Sequence, residues 1–123
     1  MPDSVENLEI WREGIEIAKM AYQVTSSWPK HEQYGLISQV RRAAVSIPAN
    51  IAEGVGRRSR REAARFAQIA LGSLYELETL FYLSSELGYV ERGVFRKLKE
   101  RLSVLARRIS SFVAYQEGEH DAA

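Results

Sequence analysis

SRREAARFAQIALGSLYELETLFYLSSELG, residues 59–88, reads as one long helix with both ends written into it. Ser59 followed by Glu62 is a capping box: the serine oxygen accepts from the third backbone amide and the glutamate reaches back. Ala63, Phe66, Ala70, Leu74, Leu77 and Phe81 recur at three- and four-residue spacing and so form one inner stripe. Gly88 is a suitable residue to follow the last turn. The spacing predicts a helix to Leu87, about 28 residues and roughly 40 Å long at 1.5 Å per residue.

The flanking segments repeat this logic. Downstream, a helix is predicted from near Glu91, with Phe95, Leu98, Leu102, Leu105, Ile109 and Phe112 in the a/d pattern of packed helices. The pattern fades after Tyr115, and GEHDAA is expected to be a polar, disordered tail. Upstream, a helix is predicted from about Glu32 to Ala52 on the stripe Leu36, Val40, Ala44, Ile47 and Ile51. Pro48 falls inside it and removes a hydrogen bond near Ala44, so a kink is expected. Gly54 and Gly56 are expected to supply the positive φ that ends it. The first helix is predicted from about Ser4 to Ser27, stopped by Pro29. Leu8, Trp11, Ile15, Ala18 and Tyr22 form its inner stripe. A second set, Ile10, Ile17, Met20, Ala21 and Val24, lies beside that stripe.

No alternating strand pattern competes with these helices. Short connections at 28–33, 54–58 and 88–91 bring successive helices back alongside one another. The expected fold is all-α, an antiparallel up-down four-helix bundle with a proline-kinked second helix. One domain is expected over 1–123, with 1–7 and 117–123 flexible.

Composition narrows the function. The chain of 123 residues has no cysteine, which removes disulfides, thiolate metal sites and thiol nucleophiles. It also fits a cytoplasmic location. MPDSVENLEIW, residues 1–11, has early acids and no apolar run, so no secretory signal is expected. No segment approaches the roughly 20 apolar residues that span a bilayer, so no membrane association is expected. His31 and His120 have no ligand spacing to a second histidine, and no Glu-x-x-His pair is present. No Gly-rich loop follows a strand. Hence no catalytic residue, metal or cofactor is expected, and the protein is read as a non-enzyme.

Charge is segregated although the net is only +1. Residues 1–35 net −3, 36–65 net +5, 66–91 net −4 and 92–123 net +3. Arg57, Arg58, Arg60, Arg61 and Arg65 surround the start of the 59–88 helix, where positive charge opposes the macrodipole by about 0.3–1 kcal/mol per group. Nucleic-acid phosphate is one natural ligand for such a patch. A solvated turn whose arginines pair with acids of neighbouring helices is the other reading. No aromatic is interleaved with these arginines in the sequence, which argues against stacking of single-stranded bases there.

Gln39, Arg42, Ser46, Asn50 and Glu53 share one face of the second helix, away from its apolar stripe. Solvent exposure accounts for such a face, as does a hydrogen-bonding seam against another subunit. Ser46 could also bond back to a carbonyl loosened by Pro48. Trp11, Trp28, Tyr75, Tyr82 and Tyr89 exceed what a core this size needs, so they are expected either to anchor subunit contacts or to close the bundle ends.

QVRRAAVSIPANIAEGVGRRSRREAARFAQIALGSLYELETLFYLSSELGYV, residues 39–90, resembles the signature of the 23S rRNA-intervening-sequence four-helix-bundle proteins, also labelled S23 ribosomal protein. LEIWREGIEIAKMAY, residues 8–22, resembles that family's first helix, and the likeness extends from Leu8 to Phe112. The resemblance implies an up-down bundle assembled as a five-fold ring. More distantly it implies likeness to the accessory proteins of diversity-generating retroelements, basic pentamers that bind nucleic acid. Matched residue by residue, the family motif falls on Arg42, Ser46, Asn50, Glu53, Gly54 and Arg57, and it implies no catalytic assignment. The expected partners are therefore further copies of the chain, together with RNA or DNA. The alternative is a scaffold that docks a protein without nucleic acid.

Overall fold

The computed structural model describes the backbone of residues 5–122 and the side chains of 5–118. Among the described residues four α-helices follow one another: α1 (Glu9–Thr25), α2 (Leu36–Gly56), α3 (Arg60–Glu86) and α4 (Arg92–Ala122), with a 3-10 turn at Lys30–Glu32. No strand occurs among the described residues. Each helix packs on its neighbour in sequence, and α4 meets α1 along the least extensive of the four seams. The result is a four-helix bundle around one core. Phe81, Ile17, Ile47, Ile51, Leu74, Leu77, Leu98, Leu102, Leu105 and Ile109 are its largest fully buried side chains. Each such side chain contributes about 1.5–3 kcal/mol by leaving water.

The α2 stripe lies wholly in the core: Leu36, Val40, Ala44, Ile47 and Ile51 are all buried. In α3, Ala63, Ala70, Leu74, Leu77 and Phe81 are buried and Phe66 is half-buried. In α4, Leu98, Leu102, Leu105 and Ile109 are buried, with Phe95 and Phe112 packed at the margins.

For α1 the stripe expected to face inward is displaced. The buried set is Ile10, Gly14, Ile17, Ala21 and Thr25. Leu8, Trp11, Ile15 and Ala18 are only half-buried and Tyr22 is exposed. Gly14 decides the rotation. A Cβ there would lie 3.2 Å from Cβ and Cδ of Pro48, so α1 meets α2 through the glycine. A residue without a side chain leaves no mark in a hydrophobic pattern.

The ends of α2 lie about one turn later than expected. Glu32 belongs to the 3-10 turn, and its carboxylate accepts the Leu36 N–H at 3.1 Å from outside the helix. At the other end the helix continues through Gly54 to Gly56, so these glycines do not end it by positive φ. Gly54 is buried because a Cβ would stand 2.8 Å from Phe66 Cβ and 3.1 Å from Ala63 Cα. It is a point of close approach between α2 and α3. The positive φ falls instead on Arg58, at 60°.

The ends of α3 are as the sequence indicates. Ser59 Oγ accepts the Glu62 N–H at 3.2 Å. Gly88 has φ 83°, its N–H donates to Ser85 O, and the Tyr89 N–H donates to Ser84 O. Those paired bonds are a Schellman ending. Helix α4 runs on to Ala122, into the segment GEHDAA expected to be a disordered tail, since its polar last turns contain no residue that breaks a helix outright. Residues 1–4 and 123 of the expected flexible ends lie outside the described residues.

Candidate nucleic-acid interface

The turn between α2 and α3 is built from three backbone states in succession. Arg57 caps α2 in the right-handed region, Arg58 is left-handed, and Ser59 is extended. This reversal places Arg57, Arg58, Arg60, Arg61 and Arg65 around the first turns of α3, all of them exposed.

Two acids divide the cluster. Glu53 Oε2 lies 3.0 Å from Arg57. Glu62 accepts two bonds from Arg65, each 3.2 Å, and lies 3.9 Å from Arg57. The Arg65 bonds hold the Glu62 carboxyl below its ordinary range, and Glu62 raises Arg65 in turn. Glu62 is thereby committed to arginine rather than to the second half of the capping box. Arg60 donates to Tyr115 Oη at 3.5 Å. Among the described residues neither Arg58 nor Arg61 forms a salt bridge. Arg57 and Arg65 are thus paired, whereas Arg58 and Arg61 are exposed and form no salt bridge among the described residues.

Aromatic rings do lie among these arginines, contrary to the sequence expectation. The Arg57 and Arg65 guanidinium carbons lie 5.0 and 4.5 Å from the Phe66 ring centroid. That of Arg60 lies 5.0 Å from the Tyr115 ring. Tyr115 is far away in sequence and arrives from α4, which a linear reading could not detect. Phe66 was present in the string, but its position one residue beyond Arg65 conceals that the ring lies beneath two guanidinium groups.

The family-motif residues separate into structural and exposed members. Ser46 Oγ lies 2.8 Å from Ser73 Oγ of α3, and Asn50 Nδ2 donates to Ser46 O at 2.8 Å and to Ser46 Oγ at 2.9 Å. This polar seam joins α2 to α3 within one chain, and the Ser46 hydroxyl serves it. Ser73 was not singled out, because a small polar residue between Gly72 and Leu74 looks like ordinary surface. Gly54 is the close approach already described, and Glu53 pairs with Arg57. Arg42 is exposed. Arg41 serves elsewhere: its Nε donates to Thr25 Oγ1 at 2.9 Å, and its guanidinium lies 4.4 Å from the Tyr22 ring centroid. It closes the end of α1, about 24 Å along α2 from Arg57.

The surplus aromatics also divide. Trp28 is buried against Tyr89, with ring centroids 5.6 Å apart, and its Nε1 has no hydrogen-bond partner among the described residues. Tyr89 donates to Glu32 Oε2 at 3.0 Å. These residues close one end of the bundle, whereas Tyr75 and Tyr82 remain exposed. No group of three acidic or histidine side chains gathers at one point among the described residues. No helix among them is long and apolar enough to cross a membrane.

A search among curated proteins finds no match to this sequence. The profile of one family, described as 23S rRNA-intervening sequence protein, matches residues 6–111. That span contains all of α1, α2 and α3, most of α4 and every arginine of the cluster. The chain belongs to the 23S rRNA-intervening sequence protein family.

Proposed function

We propose that this protein is a non-enzymatic, homo-oligomeric nucleic-acid-binding bundle of the cytoplasm, pentameric in assembly, which contacts RNA or DNA phosphate through Arg57, Arg58, Arg60, Arg61 and Arg65. The reading includes an antiparallel up-down order of helices and a kink in α2 at Pro48. One observation carries it: five exposed arginines converge on one turn, and Arg58 and Arg61 form no salt bridge among the described residues. Such uncompensated charge suits phosphate and releases counterions on binding. The wild-type protein should bind RNA or DNA with strong salt dependence. Replacing Arg57, Arg61 and Arg65 together with Glu should abolish that binding, and undiminished binding would overturn the assignment.

Exposed apolar side chains support self-association. Val45 of α2 and Ile69, Leu83 and Leu87 on or beside α3 are each at least 41% exposed. Side chains of this kind anchor contacts between copies where they join into one contiguous patch. A monomeric mass by light scattering at micromolar concentration would remove the ring. The same residues, with Tyr34 at 95% exposure, favour a second reading: a scaffold that docks a protein partner. That reading expects no retention on heparin or RNA at low salt.

A further inference from the structure

Beside the arginine turn lies an open apolar pocket of about 290 Å³ that joins the start of α1, the end of α2, the start of α3 and the late part of α4. Leu8, Val55, Ala63 and Phe112 supply its walls, and Arg58, Arg60 and Gln116 stand at its rim. Its size is at the small end of ligand pockets, which run from about 300 to 1,000 Å³, so it suits one flat group rather than a chain. Arg58 carries no salt bridge among the described residues and is held there in a left-handed conformation. Phe66 and Tyr115 lie beneath guanidinium groups, whereas no guanidinium lies over Phe112 among the described residues.

We infer that this pocket takes the base of an unpaired nucleotide, stacked on Phe112, while Arg58 holds the adjoining phosphate. The inference rests on the nucleic-acid reading above and specifies its substrate class: single strands, or unpaired bases in structured RNA. Three features favour a nucleotide over an acidic peptide. The apolar walls and the unpaired cation are adjacent, as base and phosphate are. Phe112 offers a ring to stack against, and base-aromatic stacking is tolerant of sequence. Gln116 offers both a donor and an acceptor, which matches the mixed polar edge of a base; a carboxylate needs donors alone. A base within a duplex is already stacked and paired and cannot enter.

The test compares a fluorescently labelled unstructured RNA strand with a blunt RNA duplex of the same length, by anisotropy, on the full chain. Wild type should bind the single strand about tenfold more tightly, equal to about 1.4 kcal/mol, within the range of one stacked base. Val55→Phe, which fills the pocket, and Phe112→Ala, which removes its stacking face, should both lower single-strand binding to the duplex level. Circular dichroism melting confirms that each variant is folded. Should Phe112→Ala unfold, Gln116→Ala at the rim replaces it and should lower single-strand affinity several-fold. Equal binding of strand and duplex by wild type, or a preference unchanged in Val55→Phe, overturns the pocket but leaves the arginine contacts standing. Absence of binding to either RNA overturns both. An acidic peptide that binds wild type but not Val55→Phe, with no nucleotide competition, overturns the assignment to nucleic acid.

Discussion

Pro48 of α2 and Gly14 of α1 are packed so closely that a Cβ at position 14 would meet the proline ring at 3.2 Å and its nitrogen at 3.3 Å. The ring is rigid and cannot turn aside. The proline that costs α2 a hydrogen bond is thus also the surface on which α1 rests.

Alanine scanning of the glycines should separate packing from propensity. Gly72→Ala, with nothing within 4 Å, should stabilise by up to about 1 kcal/mol, the ordinary helix preference. Gly14→Ala gains the same preference but must separate two helices, and a net loss of about 1 kcal/mol is expected. Gly54→Ala meets Phe66 Cβ at 2.8 Å and the backbone of Ala63 at 3.1 Å, so a loss of about 1–3 kcal/mol is expected. Urea denaturation of the three variants reads the order directly.

Arg58 occupies a left-handed conformation that costs an L-residue about 1–2 kcal/mol. Arg58→Gly should therefore leave stability unchanged or raise it by up to about 1 kcal/mol, while Arg58→Val should lower it. A gain in melting temperature accompanied by a loss of RNA affinity would show that the arginine is retained for binding.

Acid should loosen the end of the bundle around Glu32. Its carboxyl is held below the ordinary value of 4.5, first by the Leu36 N–H and then by the Tyr89 hydroxyl. A lowered folded value means that its stabilisation is present above 4.5 and is lost as pH falls through the folded value. Glu32→Gln should be less stable than wild type near neutrality, and the two melting curves should converge as pH drops below 4.5.

The salt dependence of binding should distinguish the arginines. If Arg58 and Arg61 each meet a phosphate, Arg58→Ala and Arg61→Ala should each lower the slope of log affinity against log salt by about 0.9. Arg65→Ala should change it less, because its guanidinium is shared with Glu62 at 3.2 Å. Titrations at several salt concentrations measure both.

The hydroxyl pair between α2 and α3 has a double-mutant signature. Ser46→Ala leaves Ser73 and Asn50 each short of a partner and should cost about 0.5–1.5 kcal/mol. The double variant Ser46→Ala with Ser73→Ala should cost less than the sum of the single changes.

Much of this fold was legible because its information is periodic and local. The α3 cap at Ser59, its Gly88 ending and the stripe from Leu98 to Ile109 follow from spacing alone. The displaced face of α1 was not legible, since its anchor is a glycine. Nor were Gly54 and Gly56 readable as helical, because glycine serves both positive φ and close approach, and at Gly54 only the neighbouring Phe66 decides between them. Of the candidate interface, the arginines stood in the string, but which acids and rings each of them meets did not. Tyr115 reaches Arg60 across the fold, and Glu62 exchanges a capping bond for Arg65. The pairing of Ser46 with Ser73 likewise requires two helices to be placed before it exists.

The narrow seam between α1 and α4 bears on how the molecule opens. Across it run two salt bridges, Arg101 to Glu13 at 3.5 Å and Arg108 to Glu9 at 3.7 Å, each of them partly in solvent. With its thinner wall held by screened charge, α1 is the helix most readily released, while α2, α3 and α4 keep their larger seams. Amide protons of α1 then exchange with solvent ahead of those in α3, and added salt hastens them. Because Leu8 belongs to the same segment, each such release also dismantles one wall of the pocket beside Arg58.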